Sequence, residues 1–404
     1  MSFPITKYVR PCIQASIPTL QNVGTITNPT TTITFKPQFP NKLSSSPSPL
    51  SSPSLPKLSH RWEYYQGVDN WKGLLDPLDD TLRLEIIRYG NFVEAAYCSC
   101  NFHPSPSTPY ASCRFPKSKI LSQSGFPATG YRVTKNLTAT SGIHLPGWAP
   151  TWMTMRSSWI GYIAVCHDRR EIARLGRRDI VIALRGTATG LEWLENMRAA
   201  LTPLTNGDGD NEAMVESGFL SLYTSASGNK PSLQTLVREG ISKIMQKYGG
   251  ERLSLTITGH SLGAALATLA AYDVKETFAD APMVTVISFA GPRVGNWSFR
   301  CRLEEQGTKV LRIVNSDDVI TKVPGFFIGG DELSAGWVRK VQWVYADVGC
   351  ELRLSSRDAP GLNGINIAAC HELKTYLRLV DGFVGSNCPF RATARKMMNK
   401  TFAQ

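Results

Sequence analysis

The first 62 residues contain neither aspartate nor glutamate, and Glu63 is the first acidic side chain. The only charged residues ahead of it are Lys7, Arg10, Lys36, Lys42, Lys57 and Arg61. Half of the formal charge of +12 therefore lies in this leader, and the remainder is only mildly basic. That distribution removes most of the support for nucleic acid as a partner, which would need a basic face on the fold itself. The leader also lacks the apolar run of a secretory signal, while Ser, Thr and Pro crowd NPTTTITF and LSSSPSPLSSPSLPKLS. Basic, hydroxyl-rich and acid-free is transit-peptide composition, and the Ser/Thr/Pro bias points to the chloroplast. The expectation is a transit peptide over residues 1–60 and a single domain over 61–404, long enough to bury a sizeable core.

The nine cysteines are odd in number and widely spread, with no C-x-x-C pair. This argues against a zinc site and against a disulfide framework. Cys98, Cys100 and Cys113 form the only cluster, and free thiols are expected there rather than a bridge to Cys113. Leu253 to Tyr272 carries no charge, and its length would span a bilayer. However, Thr256, Thr258, His260, Ser261 and two glycines lie near its middle. β-Branched alternation gives way there to an Ala/Leu helical pattern, so a strand, a sharp turn and a buried helix are predicted, and no transmembrane segment.

DPLDDTLRLEIIRYGNFVEAAY reads as a helix capped by Asp80 or Thr81, with Leu82, Ile86, Tyr89, Val93 and Ala96 on one face. WIGYIAV, DIVIAL, LSLTIT, MVTVISF and KVLRIV are apolar, β-rich runs separated by helical patterns. Strands alternating with helices predict an α/β fold with a mostly parallel central sheet and helices on both faces.

The turn between LSLTIT and the helix is GHSLG, a G-x-S-x-G pattern. A strand entering a helix through a turn this tight needs small residues around the serine. It exposes the hydroxyl of Ser261 and sets the N–H of Leu262 where an oxyanion would develop. Chains built around such an elbow run in the order nucleophile, acid, histidine. Of the six histidines, only His371 follows Ser261 at a distance, so chain order leaves it as the base. The acid is expected after a later strand. KVLRIV ends in NSDDVITKVP, which offers Asp317 and Asp318, and spacing alone does not separate them; the other would be a solvated turn aspartate. Asp331, Asp347 and Asp358 are also eligible by order. A second oxyanion donor is expected after an earlier strand, where DIVIALRGTAT places the backbone N–H and hydroxyl of Thr187.

These blocks resemble a known family. ALRGT, ESGFLSLY, GHSLGAALA, FAGPRVGN, RIVNSDDVITKVP and CHELKTYL are similar, in order, to the motifs of the class 3 lipases. WKGLLDPL, LRLEIIRYGNFVEAAY, SSWIGYIAV and RLGRRDIVIALRGT resemble more narrowly the plant plastid class I phospholipase A1 group. The resemblance implies an α/β-hydrolase fold with Ser261, Asp318 and His371 as catalytic triad, Asp318 being the acid, and Thr187 and Leu262 as oxyanion donors. It also implies cleavage of sn-1 acyl esters of glycerolipids at a membrane or lipid-droplet surface, with no metal or organic cofactor. The group includes an enzyme that releases fatty acid for jasmonate synthesis. The alternatives are a triacylglycerol lipase or general carboxylesterase, and a non-catalytic lipase-like signalling protein. Leu184 stands where more distant relatives often have Trp, which bears on substrate choice rather than on the triad.

Three further stretches invite a reading. In GLEWLENMRAAL (190–201) one apolar helical face fits either a lid over the serine or a fixed core helix. In DRREIARLGRR, Arg169, Arg170, Arg174, Arg177 and Arg178 have the charge to meet anionic headgroups, though a solvated hairpin is expected. NGDGDNE lacks full calcium-loop spacing and reads as a loop.

Overall fold

The structure, a computed structural model, describes residues 56–102, 110–140, 157–187, 200–204, 212–324, 345–358 and 367–386. The chain divides into Met1–Pro53, which lies outside the described residues, and Ser54–Gln404, to which all that follows refers.

A seven-stranded sheet runs through the domain. Its strands are β1 (Tyr131–Thr140), β2 (Ser157–Cys166), β3 (Arg178–Leu184), β6 (Leu253–His260), β7 (Met283–Phe289), β8 (Lys309–Asn315) and β9 (Cys350–Leu354), adjacent in that order. From β3 to β9 every pairing is parallel, while β1, β2 and β3 are antiparallel. Two short strands, β4 (Leu201–Pro203) and β5 (Met214–Glu216), pair separately. The five predicted runs are all strands of the sheet. Sequence reading missed β1 and β9. β1 is an edge strand, and YRVTKNLTAT alternates too many polar residues to register as an apolar run; β9 is a five-residue edge strand.

The two-residue period of a strand separates two cores. Ile180, Ile182 and Leu184 of β3 join one, and Val181 and Ala183 the other. Helix α1 (Asp80–Ser99) and the C-terminal helix α8 (Leu373–Gly382) cover the second face. Helices α3 (Ser217–Thr224), α4 (Leu233–Tyr248) and α5 (Leu262–Thr277) cover the first. Leu82, Ile86, Tyr89, Val93 and Ala96, the predicted face of α1, are all buried there. Its cap is Asp79 rather than Asp80 or Thr81. The Asp79 carboxylate accepts the N–H groups of Thr81 and Leu82 at 2.8 and 3.0 Å from an extended backbone, so Asp80 is already helical.

Thr256 and Thr258 of the uncharged run lie on the α1 face, where each hydroxyl has a partner. Thr256 Oγ1 lies 3.0 Å from both Gln66 Oε1 and the Tyr89 hydroxyl, and Thr258 Oγ1 donates to the Ile287 carbonyl. Among the described residues no helix is long and apolar enough to cross a membrane.

The arginine-rich stretch is neither a hairpin nor a free cationic patch. It forms helix α2 (Arg169–Leu175), capped by Asp168 and ended by the left-handed Gly176. Arg177 is buried, with Nε donating to Ser254 Oγ at 2.7 Å and an Nη 3.8 Å from Asp179. Arg174 pairs with Glu171, and Arg178 with Glu251. Only Arg169 and Arg170 stay exposed. The cluster lies where the parallel strands β3 and β6 begin, at the opposite end of β6 from Ser261, so it does not extend the site.

Candidate active site

Strand β6 enters α5 through Ser261, whose φ of 56° and ψ of −125° are strained for a residue with a side chain. The elbow closes only because its neighbours are small. A Cβ at Gly259 would collide with the Gly263 carbonyl, and one at Gly263 with the Leu184 carbonyl at the end of β3. The Ser261 N–H is anchored to the Phe289 carbonyl of β7 at 2.9 Å. Leu262 begins α5, and at that position the backbone N–H has no intrahelical acceptor.

His371 ends a short helix, α7 (Ile367–His371), and Glu372 turns the chain into α8. A helix end therefore delivers the histidine. Its Nε2 lies 2.9 Å from Ser261 Oγ, and its Nδ1 lies 2.7 Å from Asp318 Oδ2. An ionised carboxylate only accepts, which puts the imidazole proton on Nδ1 and leaves Nε2 to accept from the serine hydroxyl. Ser261 and Asp318 are buried, and the His371 side chain is 11% exposed.

Asp317 turns away from the histidine. Its Oδ2 accepts the Ser356 N–H at 2.9 Å and the Ser355 hydroxyl at 3.1 Å. It is not the solvated turn residue expected of the unused aspartate, because it fastens the acid turn to the end of β9 at 11% exposure. Asp347 pairs with Arg293 and Arg312, which pull its carboxyl below the usual range against the upward push of burial. Asp331 lies outside the described residues, and Asp358 sits in a single turn after β9.

Arg185, Gly186 and Thr187 follow β3. Arg185 braces the turn from both sides, with Nε donating to the Trp159 carbonyl at 3.0 Å and Nη1 to the Gly186 carbonyl at 2.6 Å. The Thr187 hydroxyl is buried and has no hydrogen-bond partner among the described residues, which is costly unless a ligand supplies one.

Sequence reasoning missed the residues that hold these groups. The Tyr376 hydroxyl donates to Asp318 Oδ2 at 2.7 Å and accepts the Asn315 N–H at 3.1 Å. Asn315 Nδ2 donates to Ser356 Oγ and to the Cys370 carbonyl, joining the acid turn to the helix that carries His371. Tyr376 was visible as an apolar helix residue five positions after His371, but nothing in the spacing assigned it a partner.

Cys98, Cys100 and Cys113 are free thiols, with Cys100 opposite Cys113 across an antiparallel bridge. Among the described residues no cluster of His, Cys, Asp or Glu is arranged to hold a metal. The segment 190–201, read as either a lid or a core helix, lies outside the described residues except for Ala200 and Leu201, as does 206–211 of the NGDGDNE loop.

A mostly parallel sheet flanked by helices, with a serine elbow where the central strand β6 ends, defines an α/β-hydrolase. The chain belongs to the class 3 lipase family, whose model, described as Lipase (class 3), matches residues 181–328, and it is a hydrolase of acyl esters. It is 62% identical over 376 residues to "Phospholipase A(1) DAD1, chloroplastic" of Arabidopsis thaliana, covering 87% of this chain and 83% of that protein. It is 43% identical over 341 residues to "Galactolipase DONGLE, chloroplastic" of the same plant, covering 80% and 70%. Among solved structures, the nonglycosylated LIP2 lipase of Yarrowia lipolytica matches with a TM-score of 0.45 at 18% identity, covering 69% of this chain and 81% of that one.

Proposed function

We propose that the protein is a plastid glycerolipid acyl hydrolase that cleaves the sn-1 ester of phosphatidylcholine and galactolipids. Ser261 is the nucleophile, His371 the base, and Asp318 the acid that orients it. The observation that carries this reading is the imidazole of His371, which bridges Ser261 Oγ and Asp318 Oδ2 at 2.9 and 2.7 Å. The Ser261 proton moves to His371 Nε2 as Oγ attacks the acyl carbonyl. Asp318 stabilises the imidazolium that results. The N–H groups of Thr187 and Leu262, with the unpartnered Thr187 hydroxyl, receive the oxyanion. Collapse returns the proton to the departing lysolipid oxygen and leaves an acyl-enzyme. Water, deprotonated by the same histidine, then releases the fatty acid.

The substrate class follows the relatives, one named a phospholipase A(1) and another a galactolipase. Both are named chloroplastic, which agrees with a transit peptide in the acid-free leader. Contact with lipid is peripheral, at a membrane or lipid-droplet surface, and the released fatty acid is available for jasmonate synthesis. The test uses phosphatidylcholine and monogalactosyldiacylglycerol vesicles, with the released acyl position read by mass spectrometry. Ser261→Ala is expected to abolish sn-1 release and labelling by a fluorophosphonate probe. Full sn-1 release by that variant sinks the proposal. Wild type that cleaves only triacylglycerol or short soluble esters replaces it with the lipase or esterase reading, and wild type that takes no probe with a non-catalytic one.

A further inference from the structure

His260 stands immediately before the serine, and the chemistry above gives it no role. It is the last residue of β6 and is buried. Its Nε2 lies 2.7 Å from the main-chain carbonyl oxygen of His371, and its Nδ1 lies 2.7 Å from the hydroxyl of Tyr97 in α1. The same hydroxyl lies 2.9 Å from the N–H of Gly186, the residue before Thr187.

Only one placement of protons satisfies all of these contacts. A carbonyl oxygen can only accept, so Nε2 of His260 carries the hydrogen. In a neutral ring Nδ1 is then an acceptor, so the Tyr97 hydroxyl donates to it. The phenol oxygen keeps lone pairs, and Gly186 N–H donates to one of them. The result is a continuous chain, from Gly186 N–H through Tyr97 O–H and His260 Nε2–H to the His371 carbonyl. At one end is the turn that offers the Thr187 donor, and at the other the backbone of the base. The space is matched to this use. A Cβ on Gly186 would come within 2.6 Å of the Tyr97 hydroxyl and 3.0 Å of Ser261 Cβ. The His260 ring also packs on His371, with centroids 4.9 Å apart, and edge-on to Tyr97.

The opposite tautomer would turn a lone pair of Nε2 toward the His371 carbonyl, replacing an attraction with a repulsion. Tyr97 prevents this by occupying Nδ1 with a donor. We propose that His260 is a positioning residue: held by Tyr97 as the Nε2–H tautomer, it clamps the main chain of His371 and fixes the base relative to the oxyanion turn. This rests on the roles given above to Ser261, His371 and Thr187.

Wild type, His260→Leu, His260→Gln and Tyr97→Phe are compared as full chains. Glutamine can set an amide N–H where Nε2 stands, and leucine cannot. His260→Leu is expected to lower kcat on phosphatidylcholine vesicles roughly 10- to 100-fold, as loss of a well-made buried hydrogen bond does, with KM within about twofold. Fluorophosphonate labelling of Ser261 should slow in parallel. His260→Gln is expected to recover most of kcat. NMR of the histidine ring nitrogens at neutral pH should find the His260 proton on Nε2 in wild type and shared between both nitrogens in Tyr97→Phe. The proposal is overturned if leucine and glutamine lower kcat equally, if KM moves instead of kcat, or if wild-type His260 carries its proton on Nδ1. The NMR measurement needs neither activity nor a folded leucine variant. Failure of the catalytic reading, seen as an unlabelled Ser261 in wild type, is therefore distinct from failure of the clamp.

Discussion

Tyr376 donates its phenolic proton to Asp318 through the oxygen that also takes the His371 Nδ1 proton, each at 2.7 Å. Asp318 Oδ1 separately accepts the Ile320 N–H at 3.0 Å. The carboxylate is thus held on both oxygens before it orients the imidazole. Tyr376→Phe removes one charge-assisted hydrogen bond and leaves the Asn315 N–H without its acceptor. A loss of about 1.5–3 kcal/mol is expected, much of it as lower kcat with KM little changed. Steady-state kinetics on vesicles checks this, and an unchanged kcat would remove Tyr376 from the catalytic support.

The two adjacent aspartates should separate sharply. Asp318→Asn changes the tautomer His371 must adopt, and a fall in kcat on the order of 10⁴ is expected, as when other triad carboxylates become amides. Asp317→Asn alters the tie to Ser355 and Ser356 and the exposed ion pair with Arg357. It is expected to stay within about threefold of wild-type activity while lowering stability by about 1 kcal/mol. Equal losses of activity would mean that the turn acts as a unit and that Asp318 has no special part.

His260 also makes stability depend on pH. Burial, followed by the positive charge that His371 can carry, pushes its pKa well below 6.5. The unfolded chain therefore takes up a proton near pH 6.5 that the folded chain refuses. The stabilising contribution is complete above that pH and is lost as pH falls below it, by up to about 1.4 kcal/mol per unit. Urea unfolding between pH 7 and 5 should show a shallower loss in His260→Gln than in wild type by about one proton. Identical slopes would mean that His260 is protonated in the fold.

The start of the domain can be tested by truncation. Leu58 is 2% exposed, and its N–H donates to the Arg174 carbonyl, while the Pro56 carbonyl accepts from the Arg174 side chain. A chain beginning at Pro56 keeps these contacts, and one beginning at Arg61 loses them. The shorter chain is expected to be less stable by about 2–4 kcal/mol. Equal urea midpoints would place the functional boundary at 60 rather than ahead of Leu58.

Sequence reading went furthest where the physics is local. The five apolar runs, the elbow and the amphipathic face of α1 each follow from neighbours a few positions apart, and all three appear as expected. The cap of α1 came out one residue early at Asp79, because adjacent aspartates differ only in backbone angles that composition does not encode. The arginine stretch was misread for a related reason. Its charge was visible, but Glu251, which pairs with Arg178, and Ser254, which accepts from Arg177, are set beside it only by the sheet.

By itself, the sequence determined a strand–serine–helix elbow, a single eligible histidine and five aspartates eligible by order, two of them, Asp317 and Asp318, just after a strand. Chain order and small-residue spacing limit those choices without any knowledge of distance. The tertiary structure decided which aspartate meets the histidine, and it brought in Tyr97, His260, Asn315 and Tyr376 as supports. The reason is geometric. Hydrogen bonds depend on ångström separations between side chains far apart in the chain, as Tyr97 and His260 are, and only the packed sheet and its covering helices set those separations.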